Sequence, residues 1–287
     1  MNRSTILMRM LMPLALSLGV FSAVAQTTEA LLDKALAGEH RSAENRLRDK
    51  YRHPRETLLF FGLKPEMTVL EIWPGSGWYS EIIAPVLAEK GQFYLAHYAI
   101  ENSRTANWQR EARSQHEETF AKRPALYGKP VFTSLGPPDY MAIAPAGSLD
   151  MVLTFRNVHN WSSEKSDGLV FKAFFDALKP GGTLGVVEHR AHPGTSFQQM
   201  VKTGYMTEAY VIELAEKAGF KLLAKSEVNA NAKDTKDHPN GVWTLPPTSR
   251  GRLDRDKYFA IGESDRMTLK FEKPAAASVV TPAQPRY

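Results

Sequence analysis

The chain has 287 residues, which is enough to bury a full hydrophobic core as one large domain or two small ones. Its formal charge is only +5, 23% of its residues are charged, and no long block of one sign occurs, so composition does not favour a nucleic-acid-binding protein. Because there is no cysteine, disulfides, thiolate metal sites and a cysteine nucleophile are excluded.

The first 25 residues have the pattern of a cleavable signal peptide. Arg3 and Arg9 give a positive start, residues 10–20 form an apolar run, and the small residues at 23–25 resemble a cleavage site. An uncleaved anchor is the alternative, although the apolar run is short for a membrane span. We therefore predict cleavage after Ala25, a periplasmic or secreted location, and no stable membrane insertion after cleavage.

Strand and helix patterns alternate along the rest of the chain. Strands are predicted at 69–72, 91–98, 130–135, 149–155, 183–188 and 220–226, with a closing hairpin or a single late strand between 258 and 271. Helices are predicted at 26–50, 54–61, 80–87, 101–123, 169–178 and 208–218. This alternation predicts a mostly parallel sheet that is covered on both faces.

The stretch from residue 69 to residue 80 combines a strand, a glycine turn and a helix start. Gly75 and Gly77 can adopt positive φ and let a ligand approach the main chain closely. Glu71, at the strand end, can accept hydrogen bonds from ribose hydroxyls or hold the loop. Such an arrangement suits a nucleotide-like ligand, and a turn without a ligand is the alternative, because two glycines alone are weak evidence.

Four landmarks make residues 55–272 resemble the class I S-adenosylmethionine-dependent methyltransferases. In chain order they are the turn at 71–77, the loop acid Asp139, the segment 147–152 and the segment 178–184. The Arg-His-Pro sequence at 52–54 further resembles a predicted exported subgroup of that fold.

The resemblance implies an α/β fold of the Rossmann-like methyltransferase type, with a seven-stranded, mostly parallel sheet and helices on both faces. The expected organisation is a signal peptide at 1–25, a helical extension at 26–53, a methyltransferase-like domain at 54–273 and a disordered tail at 274–287.

Two positions depart from the family pattern. Trp73 stands where the family usually has glycine, and His97 replaces the acid that commonly binds the ribose.

The resemblance also implies S-adenosylmethionine as the cofactor. Glu71 and the two glycines would hold its amino-acid and ribose part, Asp139 would accept from the adenine amine, and Tyr140 would flank the ring. Asn157 would lie near the methyl donor. The cofactor-binding residues expected in this sequence are Glu71, Gly75, Gly77, His97, Asp139, Tyr140 and Asn157.

Catalytic candidates follow the fourth and fifth predicted strands. His159, Glu188 or His189 could remove a proton from the methyl acceptor, because imidazole titrates close to neutral pH. The predicted activity is methyl transfer to a small molecule that the sequence does not identify. Nucleic acid is not expected as a partner.

The same strand ends support a second interpretation. Imidazoles from His97, His159, His189 and His192, with the carboxylate of Glu188, would suit zinc, iron or copper. This alternative is a repurposed fold that binds a metal or small ligand without methyl transfer. Unrelated histidines are the default interpretation at each position, so no metal ligand is assigned, and a non-catalytic periplasmic partner protein is a third hypothesis.

Aromatic and basic side chains lie near the expected ligand site. Trp73, Trp78 and Trp161 predict an aromatic-lined pocket, with ordinary packing as the default interpretation. Arg52, His53 and Arg55 could reach the ligand, but we interpret them as solvated residues at the start of a helix.

Overall fold

The computed structural model describes residues 26–251 and 254–275. The predicted signal peptide at 1–25 lies outside these residues, as does most of the tail predicted at 274–287. Within the part of the chain that is described, no helix is both long and apolar enough to cross a membrane.

Seven strands form one sheet. They are β1 (Thr68–Ile72), β2 (Gln92–Tyr98), β3 (Val131–Leu135), β4 (Leu149–Phe155), β5 (Leu178–His189), β6 (Lys221–Ser226) and β7 (Arg266–Glu272). Their order in the sheet is β3-β2-β1-β4-β5-β7-β6. The pairs among β1 to β5 are parallel, whereas β7 runs antiparallel to both β5 and β6. The predicted fold class is confirmed.

Helices connect the strands and cover both faces of the sheet. They are α1 (Thr28–Ala37), α2 (Ala43–Arg46), α3 (Asp49–Arg52), α4 (Pro54–Phe61), α5 (Ser80–Leu87), α6 (Asn107–Ala121), α7 (Pro124–Tyr127), α8 (Val158–Ser163), α9 (Asp167–Ala177), α10 (Phe197–Thr203), α11 (Glu208–Lys217) and α12 (Arg255–Ile261), with a 3₁₀ helix at Gly241–Thr244.

The sheet separates two hydrophobic cores. Successive residues of a strand point to opposite faces, so Val69 packs with Leu58 and Ile82 in one core, whereas Leu70 packs with Trp161 and Phe174 in the other. The first core lies under α1, α4 and α5, and the second lies under α8, α9 and α11. Burial on both faces explains why the central strands are almost entirely apolar.

Helix boundaries follow local signals in the sequence. α4 begins at Pro54, which lacks the N–H that a first helical turn leaves unpaired. It ends before Gly62, whose φ of 85° is left-handed and whose N–H donates to the carbonyl of Leu59 at 2.9 Å. Both boundaries agree with the prediction.

Several predicted boundaries are wrong, and the helix predicted at 26–50 is divided into α1, α2 and α3. Residues 258–261 belong to α12 rather than to a strand, because Gly262 ends a helical turn with φ of 88° and donates to the carbonyl of Tyr258. The segment 179–182, which separates the predicted helix at 169–178 from the predicted strand at 183–188, lies inside β5. Its backbone pairs with the chain after β7, since Gly181 N–H donates to the carbonyl of Lys273 at 2.7 Å.

One glycine sets how closely α4 packs on the sheet. A Cβ at Gly185 in β5 would lie 2.7 Å from the Leu153 side chain and 2.9 Å from the Phe61 ring. We expect Gly185→Val to lower the free energy of unfolding by about 2–3 kcal/mol, because the added atoms overpack this core. Urea unfolding followed by circular dichroism measures the change.

Gly168 in α9 provides the control, because a Cβ there meets open space. Gly168→Ala should leave stability within about 1 kcal/mol of the starting protein, or raise it, since alanine favours helix. Equal destabilisation by both variants would contradict the packing explanation.

Candidate functional site

A cleft of about 250 Å³ opens at the carboxyl ends of β1 and β4. From β1 the chain adds β2 and then β3 on one side of β1, and it then crosses back to place β4 on the other side. Open α/β sheets bind their ligands at such a switch point. Three of the residues predicted to bind a cofactor line the cleft, namely Glu71, Gly75 and Asn157.

The two glycines of the turn have different neighbours. Gly75 has φ of 61°, and a Cβ added there would meet no atom within 4 Å. Its main chain therefore borders open space in the cleft. Gly77 has φ of 83°, and a Cβ there would lie 2.7 Å from Nε2 of His116. The structure thus requires glycine at 77 for packing against His116.

Glu71 is the acidic group of the cleft and is only 2% exposed. Its Oε2 accepts a hydrogen bond from the Ser80 hydroxyl at 2.6 Å, which ties the end of β1 to the first residue of α5. Burial raises the pKa of Glu71 to about 8, although the Ser80 hydrogen bond and Arg156 oppose this change. Near neutral pH the side chain is therefore mostly protonated.

His97 lies beneath the glycine turn and is fully buried. Its Nδ1 accepts from the backbone N–H of Tyr98 at 3.0 Å, and its ring lies 5.8 Å from the ring of His116. Burial, followed by His116, lowers the pKa of His97 to about 3, so the ring is neutral. His97 does not line the cleft.

Trp73 closes one side of the cleft. Its Nε1–H donates to the carbonyl of Leu135 at 3.0 Å, so the indole reaches from the end of β1 to the end of β3. The indole also packs against Tyr98 and Trp161, with ring centroids at 5.1 and 5.5 Å. Its φ of 43° is left-handed, which is unfavourable for a bulky residue.

Asp139 and Tyr140 lie beyond Trp73 and outside the cleft lining. The Asp139 carboxylate is 63% exposed and forms an ion pair with Arg104 at 3.0 Å. Tyr140 forms a backbone bridge with Gly136 in the loop that follows β3. The structure therefore does not bring these two residues together with Glu71 and Gly75.

Asn157 holds two strand ends together. Its Nδ2 donates to the carbonyl of Ile72 at 3.0 Å and to the Thr154 hydroxyl at 3.3 Å. The side chain is 7% exposed at the cleft. Asn157 thus fixes the separation of β1 and β4 on which the width of the cleft depends.

His159, Glu188 and His189, the three catalytic candidates, form a compact cluster. Nδ1 of His159 lies 3.0 Å from Glu188 Oε1, and that oxygen also accepts the backbone N–H of His189 at 2.8 Å. One ligand atom from each residue can be chosen so that all three lie within 4.8 Å of one another. None of the three lines the cleft.

His189 is held in its neutral form. Burial, followed by the charges of His159 and Arg266, lowers the pKa of His189 well below its usual value. Its Nδ1 lies 2.5 Å from the Ser264 hydroxyl. His192 lies outside this cluster, with its Nε2 3.3 Å from the carbonyl of Thr235.

The most prominent basic groups of the cleft were missed by the sequence interpretation. Arg52, expected to be solvated, is 1% exposed and lines the cleft with Arg48 and Arg156. Arg55 is the solvated one, paired on the surface with Asp33 at 2.7 Å. The four-residue spacing of Arg48 and Arg52 indicates that both side chains lie on one side of a helix, but it does not show that this side is buried.

The aromatic lining was predicted in part. Trp73 and Trp78 line the cleft, together with Tyr98, Tyr79 and Phe155. Trp161 packs instead inside the second core and is fully buried.

The two ends of S-adenosylmethionine, the amino-acid group and the adenosine, differ in how well they fit this cleft. The open space at Gly75 and the polar lining suit an amino-acid group. The adenosine end would lie against the ends of β1 and β2, where the Trp73 indole now packs on Tyr98. The cleft is also smaller than the ~300–1,000 Å³ usual for sites that enclose a small molecule. The residues present therefore fit the amino-acid end, and adenosine fits only if Trp73 turns away.

Glu71 makes stability depend on pH. The folded protein keeps its proton up to about pH 8, whereas the unfolded chain releases it near 4.5, so the folded state binds more protons between these values. Stability therefore falls as pH rises through this interval. Glu71→Gln removes this titration. Between pH 6 and pH 8 we expect the free energy of unfolding of the starting protein to fall by about 2 kcal/mol relative to that of the variant.

Urea unfolding at several pH values measures this difference. Glu118→Gln serves as the control, because that carboxylate is 64% exposed and pairs with Lys122 on the surface of α6. The control should keep the pH dependence of the starting protein. An unchanged pH dependence in Glu71→Gln would contradict the assignment.

Comparisons with known proteins support the fold. No protein-family model matches the chain, and the search of curated proteins found no match. Solved structures do match. The [4+2]-cyclase SpnF has a TM-score of 0.55 at 15% identity, over 88% of this chain and 98% of its own.

Two methyltransferase structures give similar values. A SAM-dependent methyltransferase from Methanosarcina mazei has a TM-score of 0.50 at 16% identity, over 76% of this chain and 98% of its own. A candidate sarcosine dimethylglycine methyltransferase from Galdieria sulphuraria has a TM-score of 0.52 at 13% identity, over 80% of this chain and 87% of its own. At these identities the likeness concerns architecture, and the chain has the fold of the class I methyltransferases.

Proposed function

We propose that the protein is a class I S-adenosylmethionine-dependent methyltransferase of the exported subgroup, acting on a small molecule in the periplasm. The observation that carries the proposal is the cleft at the β1/β4 switch point, where the Gly75 main chain borders open space. A glycine turn that opens on a strand-end cleft lets a ligand contact backbone N–H groups directly. The fold supports the reaction class by analogy.

Residues of the turn would hold the cofactor. Glu71 and Gly75 would contact its amino-acid and ribose part, and Asn157 would keep the two strand ends apart around it. Asp139 and Tyr140 would meet the adenine only after the Trp73 side chain leaves the carbonyl of Leu135. When bound, S-adenosylmethionine supplies an electrophilic methyl group.

Other predicted cofactor residues act indirectly in this proposal. His97 and His116 support the turn from below, and Gly77 is needed so that His116 can pack there. Because both rings are buried, they contribute packing rather than contacts to the cofactor.

We assign proton removal from the acceptor to His159, which is not in the cleft lining but follows Asn157 of that lining by two residues. Glu188 is fully buried and accepts from Nδ1 of His159, which leaves Nε2 of that ring as the proton acceptor. Glu188 is therefore a positioning residue. His189 completes the cluster in its neutral form. For acceptors that need no base, positioning alone can support the transfer.

Calorimetric titration tests the proposal. We expect S-adenosylmethionine and S-adenosylhomocysteine to bind the purified protein, and Trp73→Gly to bind both about tenfold more tightly, because the variant removes the indole and suits a left-handed φ. Trp108→Ala is the control, since Trp108 also contacts Tyr98, at 5.4 Å between rings, but is 60% exposed. Absence of binding by both the starting protein and Trp73→Gly would refute the proposal.

A second function is favoured by the position of Trp73. With its indole bonded to Leu135, the fold would serve as a binding protein for a metal or small ligand without methyl transfer. The comparison with a [4+2]-cyclase illustrates that this architecture is not restricted to one reaction. The metal site would be His159, Glu188 and His189, although Arg156 and Arg266 place positive charge nearby.

Zinc titration tests the metal version of this second function. If it holds, zinc binds stoichiometrically, and His159→Gln weakens binding by at least about tenfold. His192→Gln should bind zinc as the starting protein does, because His192 lies outside the cluster. Zinc binding that is absent, or equally affected by both substitutions, would argue against a metal at this cluster.

A further inference from the structure

Four guanidinium groups surround one carboxylate at the back of the cleft. Glu263 accepts from Nε of Arg48 at 2.6 Å, from Nε of Arg52 at 3.0 Å and from Arg266. Arg156 lies close enough for its charge to act on both Glu263 and Arg52. We call Arg48, Arg52, Arg156 and Arg266 the arginine cluster.

Several N–H groups of the arginine cluster have no partner. Both terminal nitrogens of Arg52, one terminal nitrogen of Arg48 and Nε of Arg266 are buried without a hydrogen bond in the described residues. Arg156 lines the cleft beside Arg48 and Arg52. Unsatisfied charged donors are costly, so these groups call for an acceptor that is not a protein side chain.

The charges of the cluster are unbalanced. Four guanidiniums face the single carboxylate of Glu263, and Glu71, the acid that lines the cleft, is mostly protonated near neutral pH. Burial and Arg266 lower the pKa of Arg156 to about 10, which leaves it charged at pH 7. The cleft therefore carries an excess of positive charge that one further singly charged group would not neutralise.

The cleft is shaped for a compact group. Its volume is about 250 Å³, and the guanidinium of Arg52 stacks on the Trp78 indole with 4.6 Å from Cζ to the ring centroid. Stacking fixes the plane of the guanidinium, and a fixed fork of donors matches the oxygens of a carboxylate or phosphate. Arg156 itself has a left-handed φ of 62°, a strained conformation of the kind that gathers at ligand sites.

We propose that the arginine cluster binds a doubly charged acid group, a phosphate or a dicarboxylate, carried by the small molecule on which the protein acts. This deepens the proposed function, because it names the class of acceptor for the same cleft, but the anion site does not depend on methyl transfer. The amino-acid carboxylate of the cofactor is another source of an acidic group, and the two sources give different results with the probes below.

Inorganic phosphate is the first probe, used by calorimetry and thermal unfolding at low ionic strength, with sodium chloride at equal ionic strength as the reference. We expect phosphate to bind and to raise the unfolding temperature. Arg156→Gln should weaken phosphate binding at least about tenfold. Arg156→Lys should weaken it less, because lysine keeps the positive charge but lacks the paired N–H donors of the guanidinium.

Arg104→Gln is the matched control, because Arg104 is 65% exposed and pairs with Asp139 outside the cleft. It should bind phosphate as the starting protein does. Arg52→Gln should also lose binding, and if this buried substitution prevents folding, Arg156→Gln still decides the matter. No phosphate effect, or equal binding by Arg156→Gln and the starting protein, would overturn the proposal.

S-adenosylhomocysteine and methylthioadenosine, which lacks the amino-acid group, distinguish the two sources. If the acceptor supplies the acid, phosphate binds equally well to protein saturated with S-adenosylhomocysteine. If phosphate displaces S-adenosylhomocysteine, and Arg156→Gln weakens that ligand but not methylthioadenosine, the cofactor carboxylate occupies the cluster and the acceptor assignment is wrong. If phosphate binds but neither nucleoside binds to the starting protein or to Trp73→Gly, methyl transfer is refuted and the anion site stands.

Discussion

The ion pairs of the buried Glu263 carboxylate are the interactions on which the rest of the candidate site depends. The carboxylate joins Arg48 and Arg52, which precede the sheet, to Arg266 at the start of its seventh strand. Although burial opposes ionisation, these arginines lower the pKa of Glu263 well below its usual value. A buried ion pair of this kind contributes little net stability but is costly to break, because its charges would be left without partners. Its main effect is to fix where the guanidiniums lie.

The two departures from the family pattern are parts of one arrangement. Trp73, in place of glycine, extends its indole over the ends of the first three strands, and its backbone N–H bonds to the carbonyl of Ala96. His97, in place of an acid, turns beneath the glycine turn and packs with His116. The side of the cleft that Trp73 closes is thus more apolar and more filled than the arginine side. The methyltransferase proposal and the binding-protein alternative differ on whether the Trp73 side chain can move.

Sequence predicted most of the fold because its signals are local. Apolar runs such as 69–72 and 149–155 identify strands buried on both faces, and Pro54 and Gly62 mark a helix without reference to any other part of the chain. The helix at 255–261 was missed because its short pattern fits a strand equally well. In the site, Glu71, Gly75 and Asn157 could be placed at one edge of the sheet by topology. The burial of Arg52 could not be predicted, since the carboxylate that pairs with it, Glu263, is 211 residues away in the chain.

That separation has a consequence for the order in which the molecule assembles. A chain that is synthesised or translocated from its N-terminus presents Arg48 and Arg52 early, whereas their shared counter-charge arrives only when almost the whole polypeptide has followed. The first five strands precede residue 263 in the chain, whereas the arginine cluster lacks Glu263 and Arg266 until then. A product truncated ahead of residue 263 would therefore leave Arg48 and Arg52 without their counter-charge, so the proposed anion site would be the last part of the molecule to form.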